Sequence, residues 1–354
     1  MAVSRLVESV PNFSEGRRLE VVDRLARAVE GTPGVHLLDR TSDASHNRFV
    51  LTLAGEAAAV CDALERAVAV AIDEIDLEVH RGEHPRIGAV DVIPFVPLGE
   101  TTMADCVVLA RTFGARIADR FELPVYLYAE AATRPDRVRL ADLRRGGYEA
   151  LKTEIALSDR RPDFGPARTH PRAGAVAVGA RPFLIAYNIN LDSADVGLAK
   201  AIAQRIRESS GGLPKVQAKG FYIEELGRAQ VSMNLLDFTV TPIWQVWDAV
   251  TAAAAEAGAR PAESELIGLA PLASLLGIAD HAGAPEGAPV EERLAVAAAS
   301  VALRDFSPMQ ALELRLAAVE AAAVEAAAAG ARAASAAPES RAASAAPESR
   351  AGGR

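Results

Sequence analysis

The apolar and polar positions of the chain repeat with two periods, one typical of strands and one typical of helices, in an order that occurs twice. In the first half this order is β-α-β-β-α-β, which is that of a ferredoxin-like sandwich. We expect Asn12 or Ser14 to cap the first helix. The predicted elements are strand 5–10, a helix to about residue 30, strands 35–39 and 48–53, helix 56–75, strand 89–95, helix 103–121 and strand 124–128.

The second half repeats the order. Ser193 is placed to cap its first helix, and Pro242 opens its second, where a first-turn proline loses no hydrogen bond. The predicted elements are strand 175–191, helix 193–207, strands 215–225 and 229–240, a helix to about residue 257, and strand 265–269. We therefore predict an α+β protein of two ferredoxin-like (βαββαβ) subdomains with a ligand crevice between them.

The last part of the chain has a different composition. Alanine dominates from Ala317, and the nonapeptide Arg-Ala-Ala-Ser-Ala-Ala-Pro-Glu-Ser occurs twice, starting at Arg332 and at Arg341. Such a segment has too little apolar surface to offset its ordering entropy. We expect a helix to about Ala329 and disorder from about residue 331. The predicted domains are 1–172, 173–319 and the Ala-rich tail 320–354.

Charge and cysteine content narrow the class of protein. The formal net charge is −9, from 47 acidic and 38 basic side chains, and no basic stripe with interleaved aromatics is present, which argues against a nucleic-acid partner. Cys61 and Cys106 lie in apolar helical patterns and are predicted to be core thiols in a reducing compartment. Without a signal-like start or an apolar stretch of spanning length, we expect a cytoplasmic protein with no membrane partner.

The densest polar cluster runs from His80 to Asp91 and carries two histidines, two arginines and two acids. It lies between a predicted helix and a predicted strand, so it is a loop at a sheet end. An imidazole transfers protons near neutral pH, and arginine binds carboxylates. The residues alone leave a catalytic site and a solvated surface turn equally open. We expect no metal here, because Gly82 and Pro85 oppose the helix that a His80–His84 zinc pair needs.

Two further segments carry candidate polar groups. The first, 162–174, lies between the halves, and a plain interdomain linker is the favoured interpretation of its composition. The second, 39–48, joins two strands, and turn chemistry is the alternative there. The nucleotide motifs GxGxxG and GxxxxGK[ST] and the hydrolase motif GxSxG do not occur. The polar side chains are Arg168, His170 and Arg172 in the first segment, and Asp39, Asp43, His46, Asn47 and Arg48 in the second.

Six motifs follow one another between about residues 4 and 319. They are VPNFSEG at 10–16, GEHPRIGAVD at 82–91, YLY at 126–128, PDFGP at 162–166, FLIAYNINL at 183–191 and QVSMNLLD at 230–237. In this order they resemble the formiminotransferase domain of formiminotransferase-cyclodeaminase and the stand-alone bacterial glutamate formimidoyltransferases. The resemblance implies two ferredoxin-like subdomains with folate bound between them, which agrees with the predicted repeat.

The resemblance also implies the site. The family's catalytic histidine falls on His84, and tetrahydrofolate is the co-substrate. Residues 167–170 depart from the family's pattern, which leaves the donor preference open. We infer Asp39, Arg48 and Arg86 as substrate-binding residues. The implied folate-binding loop consists of Gly165, Pro166, Ala167, Arg168, Thr169, His170, Pro171, Arg172, Ala173 and Gly174.

The implied reaction is transfer of a formimino group from N-formimino-L-glutamate to N5 of tetrahydrofolate, a step of histidine degradation and one-carbon metabolism. His84 would act as general acid and base. The partners expected are these two small molecules, a second copy of the chain in a homodimer, and a separate cyclodeaminase, since no cyclodeaminase half follows. Formyl transfer on the same fold and a non-catalytic folate-binding protein are the alternatives.

Overall fold

The computed structural model describes residues 5–82 and 85–335. The part of it that ends at Leu316 is one compact unit, and the part from Ala317 is another. The larger unit contains two β-sheets, each with helices packed on it. The predicted α+β class and the two ferredoxin-like halves are confirmed. None of the helices in the described part of the chain is long and apolar enough to cross a bilayer.

The first sheet contains seven strands: β1 Leu6–Ser9, β2 Asn12–Phe13, β3 Val35–Asp43, β4 Arg48–Glu56, β5 Val90–Pro97, β6 Val125–Ala129 and β7 Val176–Ala180. Their spatial order is β3-β4-β1-β5-β7-β6, with β2 following β1 between β4 and β5. The strands from β3 to β5 pair antiparallel in the ferredoxin-like order, whereas β5, β7 and β6 are parallel.

Helices cover both faces of this sheet. One face packs on three long helices through a core that includes Phe13, Phe49, Phe95 and Phe113. On the other face, two short helices cover β5, β7 and β6, where Tyr126 is among the buried side chains. The long helices are α1 Leu19–Glu30, α2 Ala57–Glu74 and α3 Met103–Phe121, and the short ones are α4 Leu140–Leu143 and α5 Gly147–Glu154.

The second sheet is a complete ferredoxin-like unit, built from β8 Ile185–Leu191, α6 Val196–Ile206, β9 Val216–Ile223, β10 Arg228–Leu235, α7 Ile243–Glu256 and β11 Pro261–Ile267. The strand order is β11-β8-β10-β9, all antiparallel. A separate core that includes Tyr187 lies between this sheet and its helices. Three more helices follow: α8 Leu272–His281, α9 Val290–Ser300 and α10 Leu312–Ser335.

The predicted strand 175–191 is wrong as a single element. Its first part is β7, which lies between β5 and β6 of the first sheet, and its second part is β8 of the second sheet. The chain leaves the first sheet at Arg181, whose backbone N–H still donates to Phe95 O, and Pro182 then has no N–H to continue a ladder. The domain boundary at 172/173 stays a prediction.

The predicted helix caps are also wrong. Asn12 donates to Val10 O, and Ser14 donates to Gly88 O, so neither binds the start of α1. The start of α1 has no side-chain cap; Glu15 Oε1 instead holds the turn before the helix, where it accepts from the backbone N–H groups of residues 16, 17 and 18 at 3.0–3.1 Å. At α6 the cap is Asp195 and not Ser193.

Helix α10 continues to Ser335, past the predicted end near Ala329. Alanine has the highest helix propensity, which explains the extension into the first repeat. The helix therefore ends later in the chain than the approximate predicted boundary. Residues 336–354, which hold the rest of both repeats, lie outside the described residues.

Candidate active site

His80 and Arg86 form a buried pair in the loop between α2 and β5, with 7% and 8% of their surface exposed. Arg86 Nε donates to His80 Nδ1 at 2.9 Å, and His80 Nε2 lies 3.1 Å from the backbone oxygen of Asn47. Because Nδ1 accepts from a guanidinium, the ring proton is on Nε2, which donates to Asn47. Burial lowers the pKa of His80 below its ordinary value of 6.5, and the charge of Arg86 acts in the same direction. His80 is therefore a fixed, neutral imidazole at neutral pH.

The other donors of Arg86 bind α5. Its Nη1 and Nη2 donate to the two carboxylate oxygens of Glu149 at 3.2 and 2.9 Å, and Nη2 also contacts His80 O at 3.3 Å. This bidentate geometry fixes the guanidinium plane. Substrate binding by Arg86 stays a prediction, and its partners favour a role in positioning the loop.

The loop between α2 and β5 also contacts the turn that joins β3 to β4. Asn47, with φ of 48°, accepts from Gly16 N–H at 2.9 Å and donates to Arg81 O at 2.9 Å. A Cβ atom on Gly82 would lie 2.3 Å from His46 O, so only glycine fits there. The turn chemistry considered for residues 43–47 is observed, because Asp43 accepts from His46 N–H and from its ring Nδ1, each at 2.8 Å.

Arg48, at the start of β4, is a partly buried cation beside this loop. Its Nε donates to Asn12 Oδ1 at 2.7 Å, and within residues 5–82 and 85–335 no carboxylate lies within 4 Å of its guanidinium. Burial, with help from the nearby Arg144 charge, lowers the pKa of Arg48 to about 10, while Asp91 and Asp43 oppose the shift. Arg48 is still cationic at neutral pH, and among residues 5–82 and 85–335 neither of its Nη groups has a hydrogen-bond partner.

Asp91, at the start of β5, is the acid next to Arg48. Its Oδ1 accepts from Ile87 N–H at 2.8 Å, and its Oδ2 binds Arg144 Nη2. It is 2% exposed. Asp91 therefore both holds the turn that precedes β5 and balances one of two neighbouring arginines.

Asp39 lies apart from this cluster, on β3, and Glu8 lies on β1. Asp39 Oδ2 would lie 3.7 Å from a Cβ atom on Gly268, so this face of the first sheet approaches the second half.

Glu8 is 1% exposed, and neither of its oxygens has a partner in the described part of the chain. Burial raises the pKa of Glu8 to about 8; Arg181 opposes the shift and Glu313 adds to it.

The predicted folate loop divides into two parts. Gly165, Pro166 and Arg168 line an open depression against the C-terminal end of α3, together with Phe164, Asp119 and Glu122. Arg168 pairs with Glu122 at 2.8 Å, and both side chains are more than 70% exposed. The first part of the loop thus faces α3 and not the His80 cluster.

The second part of the loop approaches the cluster. His170 and Gly174 exchange backbone hydrogen bonds, and Gly174 forms a β-bridge with Gly88. His170 Nδ1 accepts from the N–H groups of Arg172 and Ala173, and Arg172 lies 3.6 Å from Asp76. Burial lowers the pKa of His170, and the charge of Arg172 adds to the effect. Folate binding by residues 165–174 stays a prediction.

The two cysteines and the possible metal ligands were also considered as candidate sites. Cys61 and Cys106 are free and buried, as predicted. Burial raises the pKa of Cys61 to about 12 and that of Cys106 to about 11, so neither forms a thiolate nucleophile. Among the residues described, no group of three or more His, Cys, Asp or Glu side chains is arranged to hold a metal ion.

The structure brings together Arg48, Arg86 and His80, which line one narrow gap with Asn12, Asn47 and Asp91. Glu83 and His84 lie outside the described residues, so catalysis by His84 stays a prediction. Sequence reasoning missed Arg144 and Glu149. The segment that holds them, Leu143 to Glu149, has no motif, and its charges look like those of an ordinary solvated helix.

The comparisons with known families match almost the whole larger unit. The formiminotransferase domain, N-terminal subdomain, matches residues 6–181, and the formiminotransferase domain that follows it matches residues 186–314. The chain belongs to the formiminotransferase family. It is therefore a transferase of one-carbon chemistry, and the resemblance carried by the six motifs is confirmed.

Two relatives of this family have nearly the length of the matched region. The chain is 45% identical over 278 residues to glutamate formimidoyltransferase of Thermoplasma acidophilum, covering 78% of this chain and 91% of that one. It is 40% identical over 279 residues to glutamate formimidoyltransferase of Streptococcus pyogenes, covering 79% and 93%. A 45% match to formimidoyltransferase-cyclodeaminase of Mus musculus covers 77% of this chain and 52% of that protein.

Proposed function

We propose that this transferase moves the formimino group of N-formimino-L-glutamate to N5 of tetrahydrofolate, with His84 as general acid and base. The names of its relatives, glutamate formimidoyltransferases, support glutamate and the formimino group as the donor side of the reaction. The structural observation that carries the proposal is Arg48, a partly buried cation whose Nη donors have no partner in the described part of the chain and which lies next to the loop that holds position 84. A guanidinium of this kind suits a substrate carboxylate.

The reaction is an addition followed by an elimination. N5 of tetrahydrofolate attacks the carbon of the protonated formimino group, the C=N electrons move onto the imino nitrogen, and His84 takes the proton that N5 loses. The same imidazole then protonates the glutamate nitrogen, and the C–N bond to glutamate breaks as the imino nitrogen lone pair re-forms the C=N bond. Atoms and charge balance without any further reactant, and a group of pKa near neutral is suited to both proton transfers.

Tetrahydrofolate would bind along residues 165–174. Among the residues described, the exposed Arg168 and Arg172 pair with exposed or partly exposed acids, Glu122 and Asp76. Such pairs contribute little to stability, so a ligand carboxylate can replace the acid at small cost. The two arginines therefore fit the negatively charged tail of a folate. We also propose a homodimer as the working form and a separate cyclodeaminase to use the product.

The decisive assay incubates the purified protein with tetrahydrofolate and a panel of donors. We expect 5-formimino-tetrahydrofolate from formimino-glutamate and much less product from formyl-glutamate or 5-formyl-tetrahydrofolate. Faster formyl transfer, or folate binding without any turnover, would contradict the proposal.

His84 is tested against His80. His84→Ala should lower turnover by ~10²–10⁴ and leave folate affinity unchanged, because the imidazole acts on the reacting nitrogen. His80→Ala should instead lower stability by ~1–3 kcal/mol, because Arg86 Nε loses its acceptor in a buried position, while the folded enzyme keeps most of its turnover. The measurements are kcat, folate binding by calorimetry, and denaturant unfolding. A His84→Ala enzyme of near wild-type kcat would rule out the shuttle.

A further inference from the structure

Arg144 is a second arginine beside the cluster, where it binds Asp91. It follows α4, and its side chain is 16% exposed. Its Nη2 binds Asp91 Oδ2, but its Nε is buried and has no hydrogen-bond partner among residues 5–82 and 85–335. A buried, unmatched N–H of a charged group is costly, so a ligand atom that accepts from it would be bound favourably.

Arg144 and Arg48 share one carboxylate. Asp91 contacts Arg144, and it also acts on the ionisation of Arg48, as does the charge of Arg144 itself. One oxygen of Asp91 is already used by Ile87 N–H. Asp43 is the other acid that acts on Arg48, and it is bound to His46. Arg48 lines the same gap as Asp91, and Arg144 binds Asp91, so the two guanidinium groups lie beside one carboxylate. Among the residues described, fewer than two carboxylates are free to balance them.

This excess of positive charge specifies the ligand. Each guanidinium forms a planar fork that matches one carboxylate. A ligand with a single carboxylate would leave one fork unused, whereas a dicarboxylate engages both. N-formimino-glutamate and its product glutamate are both dicarboxylates. On the basis of the proposed function, we propose that Arg48 and Arg144 bind the α- and γ-carboxylates of the glutamate donor as a clamp. Arg144 is then the residue that selects for a ligand with a second carboxylate.

The test measures binding, so that it does not depend on turnover. L-glutamate, L-glutamine and L-isoglutamine have the same shape and differ only in which carboxylate is replaced by an amide. Calorimetry with the wild-type enzyme should give affinities for both amides that are ~10–100-fold weaker than for glutamate. Arg144→Gln should weaken glutamate binding by a similar factor and remove the discrimination against one amide. Arg48→Gln should remove the discrimination against the other.

The matched control is Arg293→Gln on α9. Arg293 has the same features as Arg144, with an 18% exposed side chain, an Nη2 bond to Asp280 and a buried Nε without a partner in the described part of the chain. It belongs to the second half, outside the cluster. We expect this variant to have wild-type affinity for all three ligands.

A second variant, Arg144→Lys, is needed if Arg144→Gln does not fold. Lysine still places a positive charge next to Asp91. We expect it to fold and to lose about tenfold in glutamate affinity, because it has no fork. The clamp is overturned if the folded variant, glutamine or lysine, loses affinity for the three ligands equally or keeps the wild-type discrimination. If the wild-type enzyme discriminates among the ligands but transfers no formimino group, the clamp stands and the proposed function fails.

Discussion

Glu8 lies where a charged carboxylate is costly, on a buried sheet face with no donor to either oxygen in the described residues. Burial raises the folded-state pKa to about 8 from an ordinary 4.5. A raised pKa means that the folded state binds the proton more tightly than the unfolded state. The contribution to stability is therefore complete below pH 4.5 and is lost as the pH rises through about 8.

Glu8→Gln should remove this dependence, because an amide resembles the neutral acid at every pH. Denaturant unfolding of both proteins at pH 5 and pH 9 measures it. We expect the variant to gain stability relative to the wild type by a few kcal/mol more at pH 9 than at pH 5. The exposed Glu100 gives the control, and Glu100→Gln should show no such difference. Parallel curves for wild type and Glu8→Gln would mean that Glu8 ionises freely.

At the scale of elements, two glycines have opposite roles. A Cβ atom on Gly88 would lie 1.9 Å from Ala175 O, where the loop between α2 and β5 meets the end of the predicted folate-binding loop. On Gly277, inside α8, it would meet nothing within 4 Å. Gly88 permits two backbone segments to touch, whereas Gly277 only weakens a helix.

Gly88→Ala should therefore destabilise the fold by at least about 2 kcal/mol, since backbone must move. Gly277→Ala should stabilise it by ~0.5–1 kcal/mol. Chemical denaturation gives both values. Equal and small effects would show that residues 88 and 175 separate without cost.

At the scale of the whole molecule, the end of the chain is tested by truncation. From Glu320 to Ala326 every side chain is exposed, whereas Ala311 and Leu312 are at most 1% exposed. A chain ending after Ala329 should therefore keep its melting temperature and turnover.

A chain ending after Gln310 should melt several degrees lower, because it loses these buried side chains and the bond from Leu272 N–H to Glu313. Calorimetry compares the three lengths. A large loss of melting temperature on removing residues 330–354 would show that the tail contributes to the fold.

The sequence predicted those features that depend on local pattern. Helix α2 was expected at 56–75 and spans Ala57–Glu74, because its apolar period is long and uninterrupted. The break between β7 and β8 was missed because both are apolar strands, and which sheet a strand joins depends on distant partners such as Ile93 and Leu127. A role for Arg48 in the candidate site could be inferred from the polar residues beside it in the chain. A role for Arg144 could not, since the residue that links it to the site, Asp91, lies 53 positions away in the sequence.

Strand β7 has a consequence for synthesis on the ribosome. It fills the place between β5 and β6, yet residues 130–175 must be translated after β6 before it appears. Until then, β5 has an unpaired edge and β6 has no partner strand, and unpaired strand edges promote aggregation. The short helices α4 and α5 emerge within that interval and cover the same region of the sheet. The two helices that pack on this part of the sheet are thus synthesised before the strand that joins β6 to it.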